Sequence, residues 1–139
     1  MAEADPSTLI ALARQIVTAV DHHDLDALRP LYHHNLVEDV PMIGRLDGVE
    51  SVLEYFAIMY RAMPDFSLRA EELAASGTTV FVRWHMTGTF SGAPWNGIEP
   101  NGASIDLSGM DCMAFDNGRL VHNFVAYDPY TFASQAALI

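Results

Sequence analysis

The sequence predicts an α+β domain in which N-terminal helices pack on a curved, antiparallel or mixed β-sheet and enclose a pocket. Three observations lead there. Apolar residues recur at helical spacing up to Met63 and again only near the C-terminal end. Between these regions lie long runs of strand-type alternation joined by short polar turns. The chain has 139 residues, half of them hydrophobic, so it reads as one domain over residues 1–139 that buries its core without staples.

The elements follow in order. Asp5-Pro6-Ser7 starts a helix with a capping oxygen and a first-turn proline, and Leu9, Ile10, Leu12, Ala13, Ile16, Val17 and Val20 continue it to about Asp21. Asp24 caps a second helix from Leu25 to Tyr32, a short strand follows at Leu36 to Val40, and Gly44 to Gly48 is a turn. Val49 to Met63 is a helix burying Val52, Leu53, Phe56, Met59, Tyr60 and Met63. Four strands come next: Phe66 to Ala74, Thr78 to Phe90, Ala103 to Phe115 and Arg119 to Tyr127. Ser76-Gly77 and Asp116-Asn117-Gly118 suit tight hairpins. Ser91 to Gly102, rich in glycine and proline and carrying Trp95, is a longer loop at one end of the sheet. Asp128-Pro129 caps a last helix from Tyr130 to Ile139.

One strand carries the chemical signal. Along Ala103–Phe115 the residues Ile105, Leu107, Gly109, Asp111, Met113 and Phe115 share a face, so a carboxylate stands in an apolar row that looks inward. Burial disfavours the ionised form, and a carboxyl in such a place takes a proton unless it is paired. Asp111 is then either a neutral acid available for catalysis or a structural group satisfied by a neighbouring donor. On the next strand Val121, Asn123, Val125 and Tyr127 share a face, and that strand pairs with the one carrying Asp111. Asn123 can therefore fix a substrate carbonyl or satisfy Asp111.

Composition excludes several functions. A net charge of −11 opposes binding to nucleic acid or to anionic membranes, and no apolar run reaches membrane-span length. All seven basic residues are arginine, which removes Schiff-base chemistry and lysine-dependent phosphate loops. The single cysteine, Cys112, rules out an internal disulfide framework. His22-His23 and His33-His34 lie at helix ends with no completing ligand pattern, so neither a metal nor another cofactor is expected. The acidic start Met1–Asp5 lacks a signal-peptide pattern, and a cytoplasmic location is expected.

A further set of residues carries a family resemblance. These are Met63-Pro64-Asp65-Phe66, Val82-Arg83-Trp84 leading to Thr87-Gly88-Thr89-Phe90-Ser91-Gly92, Gly97-Ile98-Glu99-Pro100-Asn101-Gly102, Ser108-Gly109-Met110-Asp111 and Phe115-Asp116-Asn117-Gly118-Arg119-Leu120-Val121. With the order helix–helix–strand–helix and four long strands, they resemble the SnoaL-like polyketide cyclase branch of the nuclear transport factor 2-like superfamily. The chain is also similar to ketosteroid isomerases. The resemblance implies a cone-shaped fold around a pocket, a homodimer joined through the outer sheet face that holds His85 and His122, and a small apolar substrate.

It also implies site residues. Asp39, in Val37-Glu38-Asp39, falls where the isomerases carry their general base. Asp111 falls where they keep a protonated acid for the oxyanion. Ile16 stands near the position of their oxyanion tyrosine, and Val125 where aldol-type cyclases carry an acid/base aspartate.

The expected catalytic set is Asp39 as base, Asp111 as neutral acid and Asn123 as its helper. Trp84, Tyr55, Met59, Trp95, Val125 and Tyr127 are expected to contact substrate. The expected reaction is cofactor-free cyclisation or isomerisation of a polyketide-like or polycyclic carbonyl compound. Epoxide opening and non-catalytic ligand binding are the alternatives.

Overall fold

The computed structural model describes residues 5–139. The reading of Met1–Ala4 as free of a targeting leader lies outside the described residues. Helix α1 (Pro6–Asp21) begins as its sequence predicts, with the Asp5 carboxylate accepting from the Ser7 amide at 2.9 Å. It buries Leu9, Ala13, Ile16, Val17 and Val20. Asp24 caps α2 (Leu25–Leu28) through the Ala27 amide at 3.0 Å. The predicted continuation to Tyr32 does not form. The chain tightens into a 3-10 turn at Arg29–Leu31, because Pro30 has no amide hydrogen to extend the helix.

Strand β1 spans Tyr32–Val40, longer than expected, with a register irregularity between Tyr32 and Val37. The predicted turn at Gly44 to Gly48 is instead strand β2 (Gly44–Asp47), an edge strand hydrogen-bonded to β1. Helix α3 (Val49–Ala62) follows and buries Val52, Leu53 and Met59.

Strands β3 (Ser67–Ser76), β4 (Thr79–Thr89), β5 (Ser104–Asp116) and β6 (Arg119–Ala126) lie close to their predicted limits. The β5–β6 hairpin turns on Asn117 and Gly118, both at positive φ (50° and 74°), the backbone that a right-twisted two-residue turn requires. The final helix α4 (Pro129–Gln135) is capped by Asp128 as expected. It stops short of Ile139 because the chain turns left-handed at Ala137 (φ 60°).

All six strands form one sheet in the order β2-β1-β6-β5-β4-β3, antiparallel except for the parallel pair β1–β6. The sheet is therefore mixed, and the parallel pair ties the N-terminal half to the C-terminal strand. Helices α1 and α3 cover its concave side, where Ile16, Val17, Met59, Val82 and Met113 are buried together. Phe81, Met110 and Phe124 face outward from the convex side, 39%, 45% and 52% exposed. Among the described residues no helix is long and apolar enough to cross a membrane.

Candidate active site

Four neighbouring strands place four polar side chains in one row on the concave face. Glu38 on β1 lies directly opposite Asn123 on β6. Asn123 pairs with Met113 on β5, which puts Asp111 on the diagonal two residues away. Asp111 pairs with Val82 on β4, which puts Trp84 on the next diagonal. The row closes into a hydrogen-bonded chain. The Trp84 indole donates to Asp111 Oδ1 at 2.8 Å. The Asn123 amide donates to Asp111 Oδ2 at 3.0 Å and to Glu38 Oε1 at 2.9 Å. Asn123 Oδ1 is buried and has no donor among the described residues.

The row looks into an apolar pocket of about 620 Å³ of non-atom space, including its opening to solvent. Ile16, Val17 and Val20 of α1, Tyr55, Phe56 and Met59 of α3, and Trp84, Val125 and Tyr127 of the sheet form its walls. Tyr32 and Tyr55 bring phenols to the same pocket, and burial, together with the nearby carboxylates, pushes both up so that they hold their protons. Asp111 keeps some exposed surface, and it lines this pocket.

The two carboxyls differ. Burial raises Glu38 from an ordinary 4.5 to about 8, with Asp111 adding repulsion and only the Asn123 amide opposing. Burial raises Asp111 from 3.8 to about 6, opposed by hydrogen bonds from both Asn123 and Trp84. Two donors hold the Asp111 anion and one holds that of Glu38, so the shared proton favours Glu38. Burial pushes both carboxyls toward the protonated form, Glu38 further than Asp111. Asp111, expected as the neutral acid, shares the row with a second carboxyl that burial raises further.

Asp39 stands apart from this row. It neighbours Glu38 in sequence, so its side chain leaves on the opposite face of β1. There it pairs with His122, Nε2 to Oδ2 at 2.8 Å, outside the pocket. Glu38, which the sequence reading missed, occupies the inward position. Leu36 and Val40 flank it on the same face, both at most 5% exposed, which is the pattern that singled out Asp111.

Trp95 is also displaced. It lines a second cavity and meets Phe132 edge-on at 5.6 Å. Asn123, Trp84, Tyr55, Met59, Val125 and Tyr127 do converge on the pocket with Asp111. Among the described residues no three His, Cys, Asp or Glu side chains are grouped to hold a metal ion. His23 instead stacks on Tyr60 at 3.9 Å, and its Nε2 lies 2.8 Å from the Phe66 carbonyl.

Gly109 makes the Trp84–Asp111 contact possible. A Cβ there would lie 2.4 Å from the indole ring and 2.8 Å from the Ala126 carbonyl. Gly109→Ala is expected to push the indole off Asp111 and cost about 1–3 kcal/mol of stability by overpacking. Denaturant unfolding checks this, and a variant as stable as the parent would show that the ring does not depend on that gap.

The curved α+β cone over its apolar pocket has the nuclear transport factor 2-like fold. Among the many solved structures with this fold are three that follow. A candidate SnoaL-like polyketide cyclase from Jannaschia sp. CCS1 superposes with a TM-score of 0.86 at 13% identity, over 100% of this chain and 99% of that one. TsrD from Streptomyces laurentii gives 0.85 at 18% identity, over 99% and 100%. An epoxide hydrolase of the LEH-like type from M. tuberculosis gives 0.77 at 13%, over 97% and 93%. At such identities the likeness concerns the fold alone. No curated protein matches the chain. The model of the SnoaL-like polyketide cyclase family matches residues 10–136, and the chain belongs to that family.

Proposed function

We propose that the protein catalyses cofactor-free proton transfer on an apolar carbonyl compound, leading to isomerisation or ring closure through an enol. The observation that carries this reading is the Glu38–Asn123–Asp111 row, two carboxyls bridged by one amide at the base of an apolar pocket and both pushed up by burial. Asp111, ionised, removes a proton from the carbon beside the carbonyl. Glu38, protonated, gives its proton to the oxygen that gains charge. The products of this half-reaction are the enol, a protonated Asp111 and an ionised Glu38, and return of the protons at a new position completes an isomerisation. Asn123 holds both carboxyls in place, and the Tyr32 and Tyr55 hydroxyls are further donors to the same oxygen.

The reading can be tested without the natural substrate. In D2O the protein is expected to accelerate exchange of the hydrogens beside the carbonyl of 1- or 2-tetralone, followed by NMR. Exchange no faster than in buffer for both ketones would count against it.

A second reading has one observation in its favour. Asn123 Oδ1 is a buried acceptor beside Asp111 and can orient a water that attacks an epoxide carbon, its proton passing to ionised Asp111 while Glu38 protonates the leaving oxygen. Oxygen from labelled water would then appear in the product, which enol chemistry does not require. The expected homodimer would rest on the outward row Phe81, Met110 and Phe124. Phe124→Arg is expected to shift sedimentation from dimer to monomer, and an unchanged dimer would place the interface elsewhere.

A further inference from the structure

A second cavity adjoins the first. It comprises about 760 Å³ of non-atom space, including its opening, between the loop that follows β4 and helix α4. Its lining is apolar except for Asn96, the Trp95 indole N–H and the Tyr127 hydroxyl, and the last already donates to the Pro41 carbonyl at 3.0 Å. Tyr127 lines both cavities. A run of aromatic contacts crosses that shared wall: Trp84 to Tyr127 at 6.4 Å, Tyr127 to Phe132 at 6.0 Å and Phe132 to Trp95 at 5.6 Å. The first ring in the run is the one that donates to Asp111.

We infer that the second cavity is a subsite for the far, apolar end of the same ligand, an extended alkyl or fused-ring portion lying past Tyr127 while the carbonyl end meets Glu38 and Asp111. This rests on the acid–base reading of the first pocket for which end of the ligand lies where. With almost no polar group left to answer, the subsite favours hydrocarbon and rejects a charged or hydroxylated tail, which would lose its water without compensation. Its contribution is length selection: ligands that end within the first pocket forgo the apolar burial beyond Tyr127.

The test uses 4-n-alkylphenols from methyl to octyl, titrated by calorimetry into the full chain at neutral pH. In the parent protein the dissociation constant is expected to fall about fourfold per added methylene once the chain passes Tyr127. Ile98→Trp and, separately, Leu138→Trp narrow the cavity from its rim. Both are expected to abolish that gain for the long phenols while leaving 4-methylphenol binding unchanged. In the unaltered protein the Trp95 indole N–H resonance is expected to shift with octylphenol and not with methylphenol, which keeps the test open if a variant fails to fold. Equal gains per methylene in parent and narrowed variants, or a Trp95 signal indifferent to chain length, would overturn the subsite. Tetralone exchange without chain-length gain would remove the subsite alone. Chain-length gain without exchange would remove the acid–base reading alone.

Discussion

Asp111→Asn is expected to reduce protein-catalysed exchange of tetralone hydrogens by ~10²–10⁴-fold, the usual worth of a positioned proton-transfer group. The substitution keeps the side-chain volume, and its oxygen can still accept from the Trp84 indole, which lies 2.8 Å from Oδ1 in the parent. What it removes is the anion. Asp111 is the carboxyl held by two donors, the indole and the Asn123 amide, and the proposed mechanism makes it the base. Exchange rates near those of the parent, with the fold intact by circular dichroism, would show that another group takes the proton. A parallel loss in Glu38→Gln with Asp111 unaltered is expected for the acid role, because the amide cannot give up a proton to the enolate oxygen.

Stability is expected to fall as pH rises from about 4 to about 8, contrary to the behaviour of a protein held by surface ion pairs. The sign follows from the direction of the shifts. Glu38 and Asp111 bind protons more tightly folded than unfolded, with values of about 8 and about 6 against ordinary 4.5 and 3.8. Their contribution is complete below the unfolded values and is lost as pH climbs through the folded ones. For Glu38, fully enclosed, the change is on the order of 5 kcal/mol.

The carboxylates held below their ordinary range, Asp5, Asp65 and Asp128 among them, act in the opposite sense and only at lower pH, so the two windows separate. Glu38→Gln is expected to flatten most of the slope between pH 5 and 8 and to be more stable than the parent at the alkaline end. Urea unfolding across that range decides the matter. A slope unchanged by the substitution would place the pH sensitivity outside the pair.

Much of this arrangement was legible in the sequence because β5 is long. Thirteen residues of alternation leave one choice of face, and Asp111 on the apolar side follows directly. The inward face of Asn123 was read from its alternation with Val121, Val125 and Tyr127; the hairpin register alone would set His122 opposite Met113, and a bulge between Ala114 and Phe115 brings Asn123 there instead.

Strand β1 shows where such reasoning stops. Its predicted length, Leu36 to Val40, is too short for alternation to outweigh a motif likeness, and a slip of one residue exchanges Asp39 for Glu38 and the outside for the inside. The parallel pairing of β1 with β6 is set by tertiary packing, and nothing local announces that Glu38 will face Asn123. Strand β2 was invisible for another reason. Gly44, Arg45, Leu46 and Asp47 have no apolar period, and this edge strand exists because β1 offers it a partner. Trp95 sits in a loop whose path depends on α4, so its cavity could not be assigned from spacing.

The central claim is that two buried carboxyls share one proton at neutral pH while facing an apolar pocket. Carbon-13 NMR titration of the Asp and Glu carboxyl resonances, with Glu38→Gln and Asp111→Asn used for assignment, tests it without any substrate. The account predicts two coupled steps, near pH 6 and near pH 8, each variant collapsing the pair to a single step. Both groups titrating together near pH 4 would contradict it.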